Sequence, residues 1–185
     1  MDLAGVAEDV GPNVSAFNPG DEVYGMTGGI GGLQGSLAEF ASVDADLLAI
    51  KPANLTMRDA AALPLSVLTA WEGLVDRAQV QTGQKVLVHA GAGGVGHIVV
   101  QLAHAFGANV FATVSADKKV IVERFGAMVI DYQTTSVDEY VTEHTSGAGF
   151  DIVYDTVGGA TLDASFEAIK TYTGHVVSCP GVGNA

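Results

Sequence analysis

The stretch Lys85-Val86-Leu87-Val88-His89-Ala90-Gly91-Ala92-Gly93-Gly94-Val95-Gly96 restricts the fold of this chain more than any other. An apolar run breaks into glycines, and apolar residues then resume at helical spacing, at Ile98, Val99, Leu102, Ala103 and Phe106, with Gly107 as the expected C-cap. A second apolar run, Asn109 to Val114, follows. Strand, glycine turn, helix and strand within about 30 residues make a βαβ unit. In that setting each glycine has a physical task. Gly91 allows a sharp turn, Gly93 lets the backbone approach a pyrophosphate, and Gly96 lets helix and strand pack closely, while the amides of the new helix face the phosphates. The pattern alone is weak evidence, because the chain holds 24 glycines in 185 residues. Its position between strand and helix supplies the specificity, and a glycine-rich turn without a ligand is the plainer alternative.

Beyond Val114 the alternation continues. Asp117 to Phe125 reads as a helix with Val120, Ile121 and Phe125 inward and Gly126 capping, and Ala127 to Asp131 as the third strand. Ser136-Val137-Asp138-Glu139 is a capping box opening a helix with Tyr140 and Val141 inward. Phe150 to Asp155 is the fourth strand, Leu162 to Ile169 a helix, and His175 to Cys179 the fifth strand. Nearly continuous apolar strands separated by helices require a parallel sheet covered on both faces. Right-handed crossovers then give an α/β, Rossmann-type doubly wound sheet with five of six strands, in the order 3-2-1-4-5-6, and a crevice between the first and fourth strands. The fifth strand is expected to be an exposed edge, and the sixth to lie downstream of this sequence.

The first 55 residues differ. Turn signals at Val10-Gly11-Pro12-Asn13, at Asn18-Pro19-Gly20-Asp21 and from Gly28 to Gly35 separate short strand-like pieces. These are Gly5 to Val10, Glu22 to Gly25, Leu37 to Val43 and Leu47 to Ile50. The first enters without a partner and too little chain is present to close a barrel, so further sequence is expected upstream. Thr56 reads as an N-cap with Asp59 in the first turn, Pro64 interrupts that helix, and a second runs from Leu65 through Trp71 toward Asp76. The expected division is a partial β-rich domain at 1–55 and an incomplete nucleotide-binding domain at 56–185.

A formal charge of −13 argues against nucleic acid or an anionic membrane as partner. An anionic cofactor would then need local positive groups, which makes the few lysines informative. No signal peptide and no apolar run of transmembrane length is found. The single cysteine, Cys179, excludes an internal disulfide, fits a reducing cytosol, and reads as a small buried strand-end residue. No metal site is expected, because none of the five histidines has metal-ligand spacing. His97 and His104 read as solvated, and His89 as a neutral, hydrogen-bonded core histidine.

Where an NAD site usually offers a carboxylate at the end of the second strand, this chain has Ser115, with Lys118 and Lys119 just beyond. NADPH is therefore the expected cofactor. Asp117 competes for the ribose, but reads better as a first-turn helix acid. Thr69 is either a satisfied threonine in a packed helix or a residue facing a ligand. The loops Asp155-Thr156-Val157-Gly158-Gly159 and Cys179-Pro180-Gly181-Val182-Gly183 are either ordinary turns or neighbours of a nicotinamide. No catalytic residue can be named.

Taken together, Gly5 to Gly11, Asn18 to Val23, Ala60-Ala61-Ala62-Leu63-Pro64 through Thr69-Ala70-Trp71, and Ala90 to Gly96 resemble the medium-chain dehydrogenase/reductase superfamily. The chain is most similar to its zinc-independent quinone oxidoreductase branch, the zeta-crystallin type. The resemblance implies a GroES-like substrate domain joined to a Rossmann domain, and NADPH-dependent reduction of quinones or other α,β-unsaturated carbonyls. It places Thr69 near the nicotinamide, Ala92, Gly93, Gly94 and Val95 on the pyrophosphate, and Ser115, Lys119 and Tyr132 at the 2′-phosphate. Gly91 and Gly96, and Thr156 and Val157 after the fourth strand, complete the expected cofactor set. Zinc-dependent relatives carry a cysteine-rich lobe and a ligand near Leu65 and Ser66, both lacking here. The resemblance further implies a much longer cytoplasmic protein that pairs as a homodimer along the sixth strand, of which this chain is a central piece. A nucleotide-binding module without turnover, or a zinc-free alcohol dehydrogenase or enoyl reductase relative, remain the alternatives.

Overall fold

The computed structural model describes residues 1–28 and 34–180. Most of the Gly28 to Gly35 run, and Gly181, Val182 and Gly183 of the second glycine loop, lie outside the described residues. The chain divides into two compact units between Leu68 and Thr69.

In the first unit, β1 (Asp2–Val6), β2 (Glu22–Met26) and β3 (Leu48–Ile50) form an antiparallel sheet in that order, with Ala4 opposite Tyr24 and Tyr24 opposite Ala49. The first strand starts earlier and ends earlier than its sequence suggested. Its register on β2 ends at Val6–Glu22, after which Ala7 and Asp21 close the hairpin through Ala7 N–H to Asp21 O at 2.9 Å. Residues 37–43 form no strand. Among the described residues no neighbour pairs with them, and Leu37 and Phe40 are exposed. The unit continues past residue 55 because α1 (Met57–Ala61), capped by Thr56 accepting from Asp59 N–H at 3.1 Å, buries Ala60. The start of α2 (Pro64–Trp71) is tied to β1 by Leu65 N–H donating to both Asp2 carboxylate oxygens, at 3.1 and 3.2 Å.

The second unit is a parallel sheet of β4 (Lys85–His89), β5 (Asn109–Val114), β6 (Ala127–Asp131), β7 (Ile152–Asp155) and β8 (His175–Ser178), in the order β6-β5-β4-β7-β8. This is the 3-2-1-4-5 part of the expected arrangement. Between the strands lie α3 (Gly96–Ala105), α4 (Lys119–Arg124), α5 (Val137–Thr145) and α6 (Ala160–Ala168). Strand side chains alternate between two cores. Val86, Val88, Val110, Ala112 and Tyr154 meet α3 and α4 on one face, whereas Leu87, Phe111 and Val153 meet α5 and α6 on the other. β8 is an edge of the sheet among the described residues.

Two local features follow directly from sequence. Ser136 and Glu139 form the capping box, and Gly107 and Gly126 sit at φ +81° and +96° after their helices, the left-handed region open to glycine. The inward face of α4 is different from the expected one. Val122 is fully buried, while Val120 and Ile121 are exposed. Phe125 packs on the core as expected, and the segment opens as a 3-10 turn at Ala116–Lys118 before α4 begins at Lys119.

Candidate functional site: the carboxyl edge of the parallel sheet

The glycine turn leaves β4 between β5 and β7. The sharp bend is made at Ala90, with φ 54°, and not at Gly91. Gly91 N–H donates to Thr113 O at 3.2 Å and Gly93 N–H to Ala90 O at 2.8 Å, which closes the turn. Gly91 is needed for packing, since a Cβ there would sit 2.6 Å from Ala112 Cβ. Gly96, the first residue of α3, lies against the Ala90 carbonyl and would carry a Cβ 3.1 Å from Gly91 Cα. This is the close helix–strand approach assigned to it from sequence. A Cβ at Gly93 would meet only Ala90 O, at 3.2 Å, and otherwise open space.

Among the described residues, the N–H groups of Ala92, Gly94 and Val95 make no hydrogen bond, and Gly93 and Gly94 are exposed. Three unpaired donors at the positive end of a ten-residue helix make a cradle of a kind that can accept an anion. His97, read from sequence as solvated, instead places Nδ1 2.8 Å from Gly93 O and helps to fix the cradle. Its position one residue after the motif was the available signal.

At the adjacent carboxyl end, β5 and β6 pair through Val114 and Asp131, so Ser115 and Tyr132 follow side by side. The Ser115 hydroxyl donates to Asp117 Oδ1, Lys118 Nζ lies 3.1 Å from Asp117 Oδ2, and Lys119 Nζ lies 3.6 Å from Glu123 Oε1. The Ser115 hydroxyl, then Lys118, hold the Asp117 carboxyl below its ordinary range. The charged groups are exposed and Ser115 is half-buried, so the ion pairs are weak and can be exchanged for a ligand phosphate.

Thr69 is half-buried on α2, and its carbonyl accepts the Tyr154 hydroxyl at 2.7 Å. Burial pushes the Tyr154 phenol upward, so it remains a donor. Thr156 donates its hydroxyl to His89 O at 2.7 Å, and exposed Val157 donates its N–H to Asp155 Oδ1 at 2.9 Å. Cys179 is half-buried, and its thiol is pushed up mainly by that burial, so it is not an activated nucleophile.

His89 and Asp155 are buried at the end of the central strands. His89 Nδ1 lies 3.1 Å from Thr113 Oγ1, and Nε2 has no hydrogen-bond partner among the described residues. Burial lowers this imidazole from 6.5 to about 4, with Asp155 opposing. The folded chain therefore holds His89 neutral while the unfolded chain takes up a proton below about pH 6.5. Stability should fall as pH drops from about 6.5 to about 4, and this group should contribute no further loss below that. The acid-limit loss is roughly 3 kcal/mol. Urea midpoints between pH 7 and pH 4 should drop less steeply in His89→Asn; an unchanged slope would count against this origin. Asp155 was missed from sequence, where the signal was an acid ending an otherwise apolar strand before two glycines.

Among the described residues no group of three or more His, Cys, Asp or Glu is placed to hold a metal, and no helix is long and apolar enough to cross a membrane.

A zinc-binding dehydrogenase family model matches residues 94–184. The chain is 44% identical over 164 residues to the 2-methylene-furan-3-one reductase of Solanum lycopersicum, covering 85% of this chain and 40% of that protein. It is 40% identical over 187 residues to the chloroplastic NADPH-dependent alkenal/one oxidoreductase of Arabidopsis thaliana, covering 97% and 46%. A solved alcohol dehydrogenase superfamily protein from Novosphingobium aromaticivorans superposes with a TM-score of 0.95 at 58% identity, covering all of this chain and 56% of that one. The chain thus spans about half the length of these relatives. With the sheet order, the glycine turn and these likenesses in agreement, the chain belongs to the medium-chain dehydrogenase/reductase superfamily.

Proposed function

We propose that this chain is the cofactor-binding part of an NADPH-dependent, zinc-independent oxidoreductase that reduces α,β-unsaturated carbonyls or quinones. The observation that carries the reading is the pairing of two features along one sheet edge. One is the cradle of unpaired Ala92, Gly94 and Val95 amides. The other is Ser115 and Lys119, with no carboxylate at the position of Ser115. The names of the tomato and Arabidopsis relatives, both enone-type reductases, support the substrate class. In this reading the β-rich unit, residues 1–68, belongs to a GroES-like substrate domain and residues 69–185 to the Rossmann domain, a boundary later than the one expected at residue 55. The full-length protein is a cytoplasmic homodimer.

NADPH, when bound, supplies a hydride for the β-carbon of the enone, and a proton must reach the α-carbon to complete the reduction. The chain's own part is placement. Gly91, Ala92, Gly93, Gly94, Val95 and Gly96 seat the pyrophosphate, with the amides donating and the glycines leaving room. Ser115, Lys119 and Tyr132 surround the 2′-phosphate, with Lys119 exchanging Glu123 for it. Thr69, Thr156 and Val157 border the nicotinamide.

Calorimetric titration with NADPH and NADH tests this. NADPH should bind more tightly, and Lys119→Ala should weaken NADPH by about tenfold, the worth of one charge-assisted contact, while leaving NADH unchanged. Equal affinity of the two cofactors for the unmodified protein would refute the assignment.

A further inference from the structure

The carboxylate of Asp155 has no solvent exposure, and no cation pairs with it among the described residues. Such burial is costly unless hydrogen bonds replace the lost water. Here Oδ1 accepts Val157 N–H at 2.9 Å and Gly158 N–H at 3.0 Å, while Oδ2 accepts Gly158 N–H at 3.1 Å and the Ser178 hydroxyl at 3.0 Å. The donors belong to the loop after β7 and to the end of β8. Gly158 and Gly159 sit at φ +80° and +56°, conformations open to glycine that let the chain turn back on the carboxylate.

The strand register extends the pattern. Thr113 pairs with His89, Asp155 pairs with Ser178, and His89 and Asp155 each follow the Val88–Tyr154 pair by one residue. Thr113, His89, Asp155 and Ser178 therefore form one line across four strands. Thr113 Oγ1 also accepts Ala90 N–H at 3.3 Å, and the Thr156 hydroxyl bonds the His89 carbonyl. The line thus holds the glycine turn at one end and the loop after β7 at the other.

We infer that Asp155 is a positioning residue for the nicotinamide half of the cofactor. Its carboxylate fixes the Val157 and Gly158 amides, and through them the loop, relative to the glycine turn. This rests on the nicotinamide reading above and deepens it, since Asp155 itself touches no ligand.

The test compares two ligands by calorimetry: NADPH, which reaches both halves of the site, and 2′,5′-ADP, which occupies only the adenine half. Asp155→Ala should weaken NADPH by about tenfold or more and change 2′,5′-ADP by less than about twofold. Asp155→Asn should restore most of the affinity, because its carboxamide oxygen still accepts both amides. Should Asp155→Ala not fold, Ser178→Ala, which removes one hydroxyl from Oδ2, should weaken NADPH selectively by about threefold. Parallel loss of both ligands, or unchanged NADPH binding in the folded variants, overturns the inference alone. Failure of the unmodified protein to bind either ligand overturns the nicotinamide reading and this inference with it.

Discussion

Gly96→Ala should lower stability by about 2 kcal/mol, and NADPH affinity should fall further than stability alone would suggest. The added methyl would collide with the Ala90 carbonyl oxygen and lie 3.0 Å from the Ala90 carbonyl carbon. Both belong to backbone, so no side-chain rotation relieves the contact. Alanine is the better helix former by about 1 kcal/mol, but at the first position of α3 that gain is smaller than the overpacking. The helix must retreat from the turn, which carries the Ala92, Gly94 and Val95 amides away from the anion position. Thermal melting should show a loss of roughly 4–8 °C for a chain of this size. Titration with NADPH at a temperature where the variant is folded should show at least about tenfold weaker binding. A variant with unaltered melting and affinity would mean that the turn is looser than the geometry indicates.

Tyr154→Ala should cost more, about 4 kcal/mol, as for other large aromatic truncations in a core. Tyr154 is fully buried, and its ring lies so close to Gly73 that a Cβ there would meet Cζ at 2.8 Å. Its hydroxyl reaches the Thr69 carbonyl where α2 gives way to a π-helical turn at Glu72–Arg77. The hydroxyl thus gives the Thr69 carbonyl a partner close to where the helical geometry changes. Tyr154→Phe should therefore cost only about 1 kcal/mol, the worth of the hydrogen bond. Urea denaturation of both variants separates the cavity from the hydrogen bond, and equal losses would contradict this partition. In the proposed enzyme Tyr154→Phe should also loosen Thr69 and raise KM for the cofactor.

How much of this was readable beforehand depended on the range of the forces involved. The strands β4, β5 and β6 follow from runs of apolar residues between turn signals, and their limits match the sequence reading. The capping box at Ser136 and the glycines after α3 and α4 are equally local, because each is set by a few neighbouring residues. The βαβ unit likewise needed only the glycine spacing and the apolar runs on either side of it, and the common order of doubly wound sheets supplied the strand order.

Other features depended on partners distant in sequence. Residues 37–43 have strand-like composition, yet a strand forms only where another backbone offers its hydrogen bonds. The inward face of α4 was decided by how the helix docks on the sheet, which buries Val122 and packs Phe125 but leaves Val120 and Ile121 exposed. His89 read from sequence as a neutral, hydrogen-bonded core histidine, and its burial beside Thr113 agrees, but its alignment with Asp155 could not be read locally. A histidine and an acid 66 residues apart become neighbours only when register aligns β4 with β7. The sequence by itself determined that this chain makes a doubly wound sheet with a glycine turn at its centre, because periodicity and turn chemistry are properties of neighbouring residues. Only the tertiary structure decided that Ala90 makes the bend, that His97 braces the cradle, and that Asp155 holds the loop after β7. Those roles depend on conformation and burial, such as the left-handed backbone of Ala90 and the enclosed carboxylate of Asp155, which packing of the whole sheet selects and which spacing alone does not reveal.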